Sequence, residues 1–182
     1  MSSSQNYYRR FQMVTGIALD GRIAGSEGSF SPYSSPEDKA FLDQKIEDAD
    51  VLIMGRKTYE KHVAKVKKPL IIFTSQAEGG LEITEKDGHM IHLFNDSAQE
   101  LINLCDALQY KNIACLGGAE IYHWFLEKKL ATDLYLTIEP FIFGSGRNLL
   151  HGGYLHEYQH WKLKSHEQLN DDGSLLLHYQ PH

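Results

Sequence analysis

Three short runs in this 182-residue chain carry the residue types that could hold a phosphate-bearing ligand. The first is Met54–Gly55–Arg56–Lys57–Thr58, where an apolar run ends in a glycine, two cations and a hydroxyl. Glycine lets a ligand approach the backbone closely, and a helix start offers free N–H groups at the positive end of its dipole. The second is Leu116–Gly117–Gly118–Ala119–Glu120–Ile121–Tyr122, where another apolar run turns through a glycine pair into a helical pattern. The third is Phe73–Thr74–Ser75–Gln76, a strand end with two adjacent hydroxyls. One strand–glycine–helix junction is equally well a tight turn. Two of them plus a hydroxyl-bearing strand end describe a phosphate or dinucleotide site. Neither the Rossmann GxGxxG nor the P-loop GxxxxGK[ST] occurs, so a different fold must hold the nucleotide.

These runs need elements to position them. The apolar run 11–19 reads as a first strand, followed by a Gly/Ser/Pro-rich loop over 25–36. A helix is predicted over 36–49, with Ser35 as N-cap, Pro36 in the first position, and Glu37 and Asp38 at the positive helix start. Strands are predicted over 50–55 and 69–74, with a helix over 56–66 between them. Shorter strands are expected around Leu81–Ile83 and Met90–Phe94. Leu101, Leu104, Cys105 and Leu108 form one stripe of an amphipathic helix over 97–109. A strand over 112–118 runs into a helix over 119–130. The run 132–143 reads as a strand with Pro140 as its interruption. Two further strands, 160–169 and 174–180, are joined by the turn Asn170–Asp171–Asp172–Gly173. Apolar strands alternating with helices imply a three-layer α/β sandwich. Its central sheet is mixed and mainly parallel, and it carries a C-terminal antiparallel hairpin. Ligands in such sheets gather at the carboxyl ends of the parallel strands. Residues 1–9 read as a polar lead-in and 10–182 as a single domain.

Composition narrows the partners. There are 24 acidic and 18 basic side chains, for a net charge of -6. No basic run supplies the positive field that nucleic acid requires, so nucleic acid is not an expected partner. A phosphorylated small-molecule substrate needs only a few local donors. No apolar run approaches the roughly 20 residues of a membrane span, and the N-terminus lacks a signal-peptide core, so no membrane partner is expected. Cys105 and Cys115 read as buried thiols of a cytoplasmic protein. The ten histidines are scattered. His156 and His160 have metal-ligand spacing but no convincing helix, and no metal site is expected.

The segments VTGIALDGRIAG, VLIMGRKTYE, PLIIFTSQ, LGGAEIYHWFL and LYLTIE, in that order, resemble the dihydrofolate reductase superfamily over nearly the whole chain. ALDGRIAG, GSEGSFSPYSSPEDKAFL, DADVLIMGRKT and PFIFGSGRNLL are more similar still to the reductase domain of riboflavin biosynthesis in stand-alone form. That domain reduces a pyrimidine ribosylamino phosphate with NADPH. The resemblance implies an NADPH-dependent reductase of a small heterocycle. It places Gly16 and Ile23 beside the nicotinamide, and Gly55, Arg56, Lys57 and Thr58 on the cofactor phosphates. Thr74 and Ser75 fall near the adenosine ribose and its 2′-phosphate. Gly117, Gly118, Ala119, Glu120 and Ile121 cover the pyrophosphate. Asp20 falls between cofactor and substrate, and Thr137 faces the substrate cleft. Asp38 is the nearest counterpart of the folate-binding acid, although the Trp and Leu-Pro pattern that precedes that acid is missing. Leu116 stands where riboflavin-type domains carry an acid. Two alternatives therefore accompany the main reading: a dihydrofolate or pterin reductase, and a nucleotide-binding protein of this fold without turnover.

Between the two acids the sequence favours Asp20 as the catalytic group. It follows the strand that flanks the nicotinamide and has no evident structural reason for its place, whereas the helix dipole accounts for Asp38. The riboflavin-type relatives are commonly dimers. Tyr154, Tyr158, Trp161 and Tyr179 enrich a C-terminal region whose edge strands need covering, so a two-fold homodimer is expected through that region.

Overall fold

A strand that is apolar at every position is stable only when both faces of its sheet are covered. The computed structural model describes residues 9–28, 32–62, 67–77, 81–86, 88–151 and 155–182, and it builds such a sheet. Its elements in chain order are β1 (Arg10–Ala18), β2 (Arg22–Ala24), α1 (Pro36–Asp48), β3 (Val51–Gly55) and α2 (Arg56–His62). β4 (Leu70–Phe73), β5 (Leu81–Lys86), β6 (His89–Phe94), α3 (Ala98–Ala107) and β7 (Asn112–Cys115) follow. The chain ends with α4 (Ala119–Glu127), β8 (Asp133–Glu139), β9 (Arg147–Asn148), β10 (Trp161–Gln168) and β11 (Leu175–Pro181).

Nine strands form one sheet in the order β10-β11-β8-β1-β7-β3-β4-β6-β5. From β8 to β6 every pairing is parallel. The β10–β11 hairpin at one edge and β5 at the other are antiparallel. β2 and β9 make a separate small ladder. Side chains alternate across the pleat, so each continuous apolar run splits between two cores. Val51, Ile53 and Ile71 join Phe11, Met13, Ile113 and Cys115 beneath α3 and α4. Leu52, Met54, Leu70 and Ile72 join Ala114 on the opposite face, where Ile46 of α1 and Tyr59 of α2 pack. Each fully buried Val, Leu, Ile, Phe or Met side chain among these is worth about 1.5–3 kcal/mol.

Local signals operate as the residues dictate. Ser35 caps α1, its hydroxyl accepting from the Asp38 N–H at 3.2 Å, with Pro36 in the first turn. Asn170 Oδ1 accepts from the Gly173 and Ser174 N–H groups, both at 3.1 Å, and Gly173 takes φ +98° to close the hairpin. The long strand expected over 132–143 stops at Glu139, because Pro140 has no N–H and the Phe141 N–H turns back to the Glu139 carbonyl at 2.8 Å. The helix expected over 56–66 runs to His62, and its remainder lies outside the described residues. Among the described residues no helix is long and apolar enough to cross a membrane. β10 is an edge strand carrying Trp161, Tyr179 lies on β11, and Tyr158 is 89% exposed. Tyr154 lies outside the described residues.

The amino end of β8 is anchored by a charge. Asp133 is fully buried and accepts from Arg10 Nη2 at 3.0 Å, Arg10 Nε at 3.2 Å, the Thr132 hydroxyl at 2.8 Å and Gln180 Nε2 at 3.0 Å, with His178 Nε2 at 2.8 Å. Burial pushes this carboxyl upward, but the Arg10, Gln180, His178 and Thr132 donors outweigh it and hold the group well below the usual carboxylate range. A depressed folded-state pKa means that the stabilisation is present above the unfolded value and lost as pH falls through the folded one. Asp133→Ala is therefore expected to cost about 3 kcal/mol of unfolding free energy at neutral pH. The gap between wild type and variant should close as pH falls below roughly 4. Urea unfolding of both proteins at several pH values checks this, and a gap that does not shrink in acid contradicts it.

Candidate cofactor and substrate cleft

The sheet order creates the crevice. After β3 the chain moves toward β4 through α2, whereas after β7 it crosses β1 to reach β8 through α4. Crossovers leaving adjacent strands in opposite directions must lie on opposite faces when both are right-handed. Their starts part at the carboxyl ends of β3 and β7, and that switch point is where open α/β sheets bind ligands.

Gly55 and Gly117 stand at this point. The Gly55 N–H donates to the Gly117 carbonyl at 2.7 Å, and the Leu116 N–H donates to the Ile53 carbonyl at 2.8 Å. A Cβ on Gly55 would lie 3.3 Å from Ile121 Cγ1. A Cβ on Gly118 would meet only Thr58 Oγ1, at 3.5 Å. The two glycine junctions read from the sequence are thus one structural unit. Gly55, Thr58, Gly117, Gly118 and Ile121 belong to it, and the Gly117–Gly118 peptide is cis. Gly118 is the N-cap of α4 and makes no side-chain capping bond, so Ala119 and Glu120 begin a helix whose first N–H groups lack a side-chain acceptor. Gly117 takes φ +84° with the Tyr122 ring against it: a Cβ there would come within 2.6 Å of Tyr122 Cζ. The Tyr122 hydroxyl donates to the Val14 carbonyl at 2.7 Å, which fixes the ring beneath the glycine.

Around this unit lie the other candidates. Arg56 is partly exposed and pairs with Glu60 at 2.6 Å, one helical turn on, and Lys57 is exposed. Just past β4, one strand beyond β3, Thr74 donates its N–H to the Phe94 carbonyl at 3.0 Å, and Ser75 is exposed. Gly16 pairs in register with Thr137 on β8, and Thr137 is buried. Ile23 of β2 packs against the core beneath α4. Leu116 is half-buried against the opposite core, so its apolar side chain has a packing partner. Burial pushes the Cys115 thiol up to about 12, which keeps it neutral and unreactive.

The two acids fare differently. The structure gives Asp20 the reason for its place that the sequence did not show. Its Oδ2 accepts from Arg22 Nη1 at 2.5 Å and from the Gly144 N–H at 2.9 Å, tying the loop after β1 to the loop after β8. Burial raises its pKa, but the Gly144 and Arg22 donors prevail and hold it below the usual range. A carboxylate held ionised in this way is a weak proton donor. Asp38 is buried at the start of α1, and the Ser34 hydroxyl donates to its Oδ2. Ser35, at the same helix start, donates its N–H to Glu139 Oε1 at 2.8 Å, which brings this turn against the carboxyl end of β8, two residues beyond Thr137. The start of α1, which carries Asp38, and the end of β8, which carries Thr137, therefore meet at this bond. Sequence reasoning missed Glu139. Its only signal was an acid at the end of the run LYLTIE, just before Pro140.

The architecture is that of dihydrofolate reductase. Dihydrofolate reductase from Enterococcus faecalis, complexed with NADP(H), superposes with TM-score 0.67 at 18% identity, covering 94% of this chain and 96% of that one. The chain belongs to the RibD C-terminal domain family, whose model matches residues 10–175. A putative riboflavin biosynthesis protein from Shewanella sp. PV-4 superposes with TM-score 0.76 at 21% identity over 95% of this chain and 99% of its own. The Thermotoga maritima diaminohydroxyphosphoribosylaminopyrimidine deaminase/5-amino-6-(5-phosphoribosylamino)uracil reductase superposes with TM-score 0.73 at 14% identity, over 96% of this chain and 57% of its own. In sequence the chain is 28% identical to the uncharacterized protein YwjB of Bacillus subtilis (strain 168) over 149 residues, 79% of this chain and 83% of that one.

Gly117→Ala combines a left-handed backbone with an overpacked ring contact. It is expected to cost about 2–5 kcal/mol, summing the two penalties. Thermal or urea unfolding checks it, and a variant as stable as wild type contradicts the assigned backbone.

Proposed function

We propose that this protein is an NADPH-dependent reductase of a small heterocyclic substrate, of the kind that reduces 5-amino-6-(5-phosphoribosylamino)uracil. The observation that carries the reading is the joined pair of glycine junctions at the switch point of a RibD C-terminal domain. The residues present suit a dinucleotide phosphate. The space over Gly118 is open apart from the Thr58 hydroxyl, and no side chain caps α4. Arg56, Lys57, Thr58, Thr74 and Ser75 supply charge and hydroxyls, and FTSQ itself offers no acid to prefer a bare ribose diol.

When bound, NADPH supplies a hydride for an electrophilic carbon of the substrate. The rest falls to the chain. Arg56, Lys57 and Thr58 would bind phosphate oxygens, with Arg56 exchanging Glu60 for the ligand. The N–H groups of Gly118, Ala119 and Glu120 would add backbone donors at the positive end of α4. Gly16 and Ile23 would keep water from the reacting carbon. Asp38 would accept N–H groups of the heterocycle and orient it, while Ser34 holds Asp38 Oδ2 in place. Asp20 would hold the loop that closes the cleft, a role that replaces the proton donor expected of it from sequence. A second reading, dihydrofolate or pterin reduction, is favoured by one observation: a buried acid in the first turn of the first helix, whose start is bonded to the end of β8.

Arg56→Ala is expected to weaken NADPH binding by about 1.5–3 kcal/mol, the scale of a charged hydrogen bond. NADH should bind wild type more weakly than NADPH, and calorimetry with both cofactors tests this; equal affinities would sink the assignment. Asp38→Asn should lower turnover at least tenfold, or about 1.4 kcal/mol of barrier, with NADPH affinity unchanged. Asp20→Asn should leave the larger share of turnover. The assay follows NADPH consumption with the pyrimidine and with dihydrofolate. Reduction of dihydrofolate alone would select the second reading, and binding of NADPH without turnover of either would leave only a nucleotide-binding role.

A further inference from the structure

β8 ends in a carboxylate that the reaction proposed above does not use. Glu139 is 2% exposed. Its Oε1 accepts the Ser35 N–H at 2.8 Å and its Oε2 accepts the Ser174 hydroxyl. Ser174 is 1% exposed and accepts in turn from Asn170 Nδ2 at 3.0 Å. The same amide nitrogen donates to Glu37 Oε2 of α1 at 3.1 Å. Three segments distant in sequence therefore meet at one buried group: the end of β8, the N-cap of α1 and the β10–β11 turn.

Both donors to Glu139 are neutral, and no ion pair to it occurs among the described residues. A buried carboxyl group is a costly way to add stability, because an apolar side chain of similar volume avoids its desolvation. What this arrangement does supply is position. The α1 start cannot slide along β8 without breaking the Ser35–Glu139 bond. Ser34, which holds Asp38, precedes Ser35, and the Asp38 N–H returns to Ser35 Oγ at 3.2 Å. The cleft acid is thus indexed to β8 through a single residue.

We infer that Glu139 is a positioning residue that sets the place of Asp38 in the substrate cleft, with the Asn170–Ser174 turn as its backstop. The inference rests on the proposed role of Asp38 toward the substrate. In this role Glu139 would touch neither substrate nor cofactor.

The test compares the full-length wild type with Glu139→Ala, Glu139→Gln and Ser174→Ala. Glutamine keeps an acceptor for the Ser35 N–H and a group that can bond Ser174. The probe is whichever of 5-amino-6-(5-phosphoribosylamino)uracil and dihydrofolate the wild type reduces with NADPH. Glu139→Ala should raise KM for that probe at least tenfold, and Glu139→Gln should restore it to within threefold. The Kd for NADPH should stay within twofold throughout. Ser174→Ala should raise KM by a smaller factor, and it carries the test if Glu139→Ala does not fold. A wild-type KM in the folded Glu139→Ala protein, or in Ser174→Ala where that is the variant available, overturns the inference. So does a Glu139→Gln protein as impaired as Glu139→Ala. A wild type that reduces neither probe contradicts the proposed function alone, and amide hydrogen exchange then decides the inference. Residues 36–41 should exchange at least tenfold faster in Glu139→Ala or Ser174→Ala and recover in Glu139→Gln. Unchanged exchange there would overturn it.

Discussion

The hydrogen bond from the Gly55 N–H to the Gly117 carbonyl is the constraint on which the cleft depends. It joins two helices that lie on opposite faces of the sheet and could otherwise diverge freely from their strands. α2 packs with the Leu52–Met54 face, and α4 with the Phe11–Met13 face. Only at the carboxyl ends of β3 and β7 do their starts come together. The bond requires Gly117 in a left-handed conformation, and the Tyr122 ring beneath it removes the room for any side chain. Tyr122 is held by the Val14 carbonyl of β1, so the geometry extends from β3 through β7 to the strand on the far side.

The opposite wall is built on different physics. Where the glycine unit relies on backbone approach, the wall of α1 and β8 relies on buried polar groups. Asp133 anchors the amino end of β8 through charge, and Glu139 ties its carboxyl end to α1 through neutral donors. Asp20 serves the outer loops in a third way, as an ionised clasp between the segments after β1 and β8. The carboxylates share a chemistry, and their surroundings separate their roles. Asp20 is held ionised by Arg22 and a backbone N–H, whereas Asp38 sits buried with the Ser34 hydroxyl donating to it.

Features set by near neighbours were legible in the sequence. Ser35 and Pro36 mark the start of α1, Asn170 and Gly173 mark the hairpin, and the unbroken apolar runs at 51–54 and 70–72 announce a sheet covered on both faces. The paired glycine junctions were also legible as chemistry, although their direct bond was not. What escaped was set by residues far apart in sequence. The β2–β9 ladder joins a three-residue strand to a two-residue one, too short to show any periodicity. Gly144, which gives Asp20 its structural purpose, is 124 residues away from it. Ser35 and Glu139 are 104 apart. Asp20 looked free of structural duty because one of its two donors, the Gly144 N–H, belongs to the loop after β8.

The proposed reductase role requires that NADPH be held where the two glycine junctions meet. The most direct measurement is an amide-resolved NMR titration of the full-length chain with NADPH. The amides of Gly55, Arg56, Thr58, Thr74, Gly117, Gly118 and Ala119 should shift together and saturate with one affinity, while those of the β10–β11 hairpin stay in place. NADPH that leaves the Gly55 and Gly117–Ala119 amides unmoved, or that shifts only residues elsewhere, would contradict it.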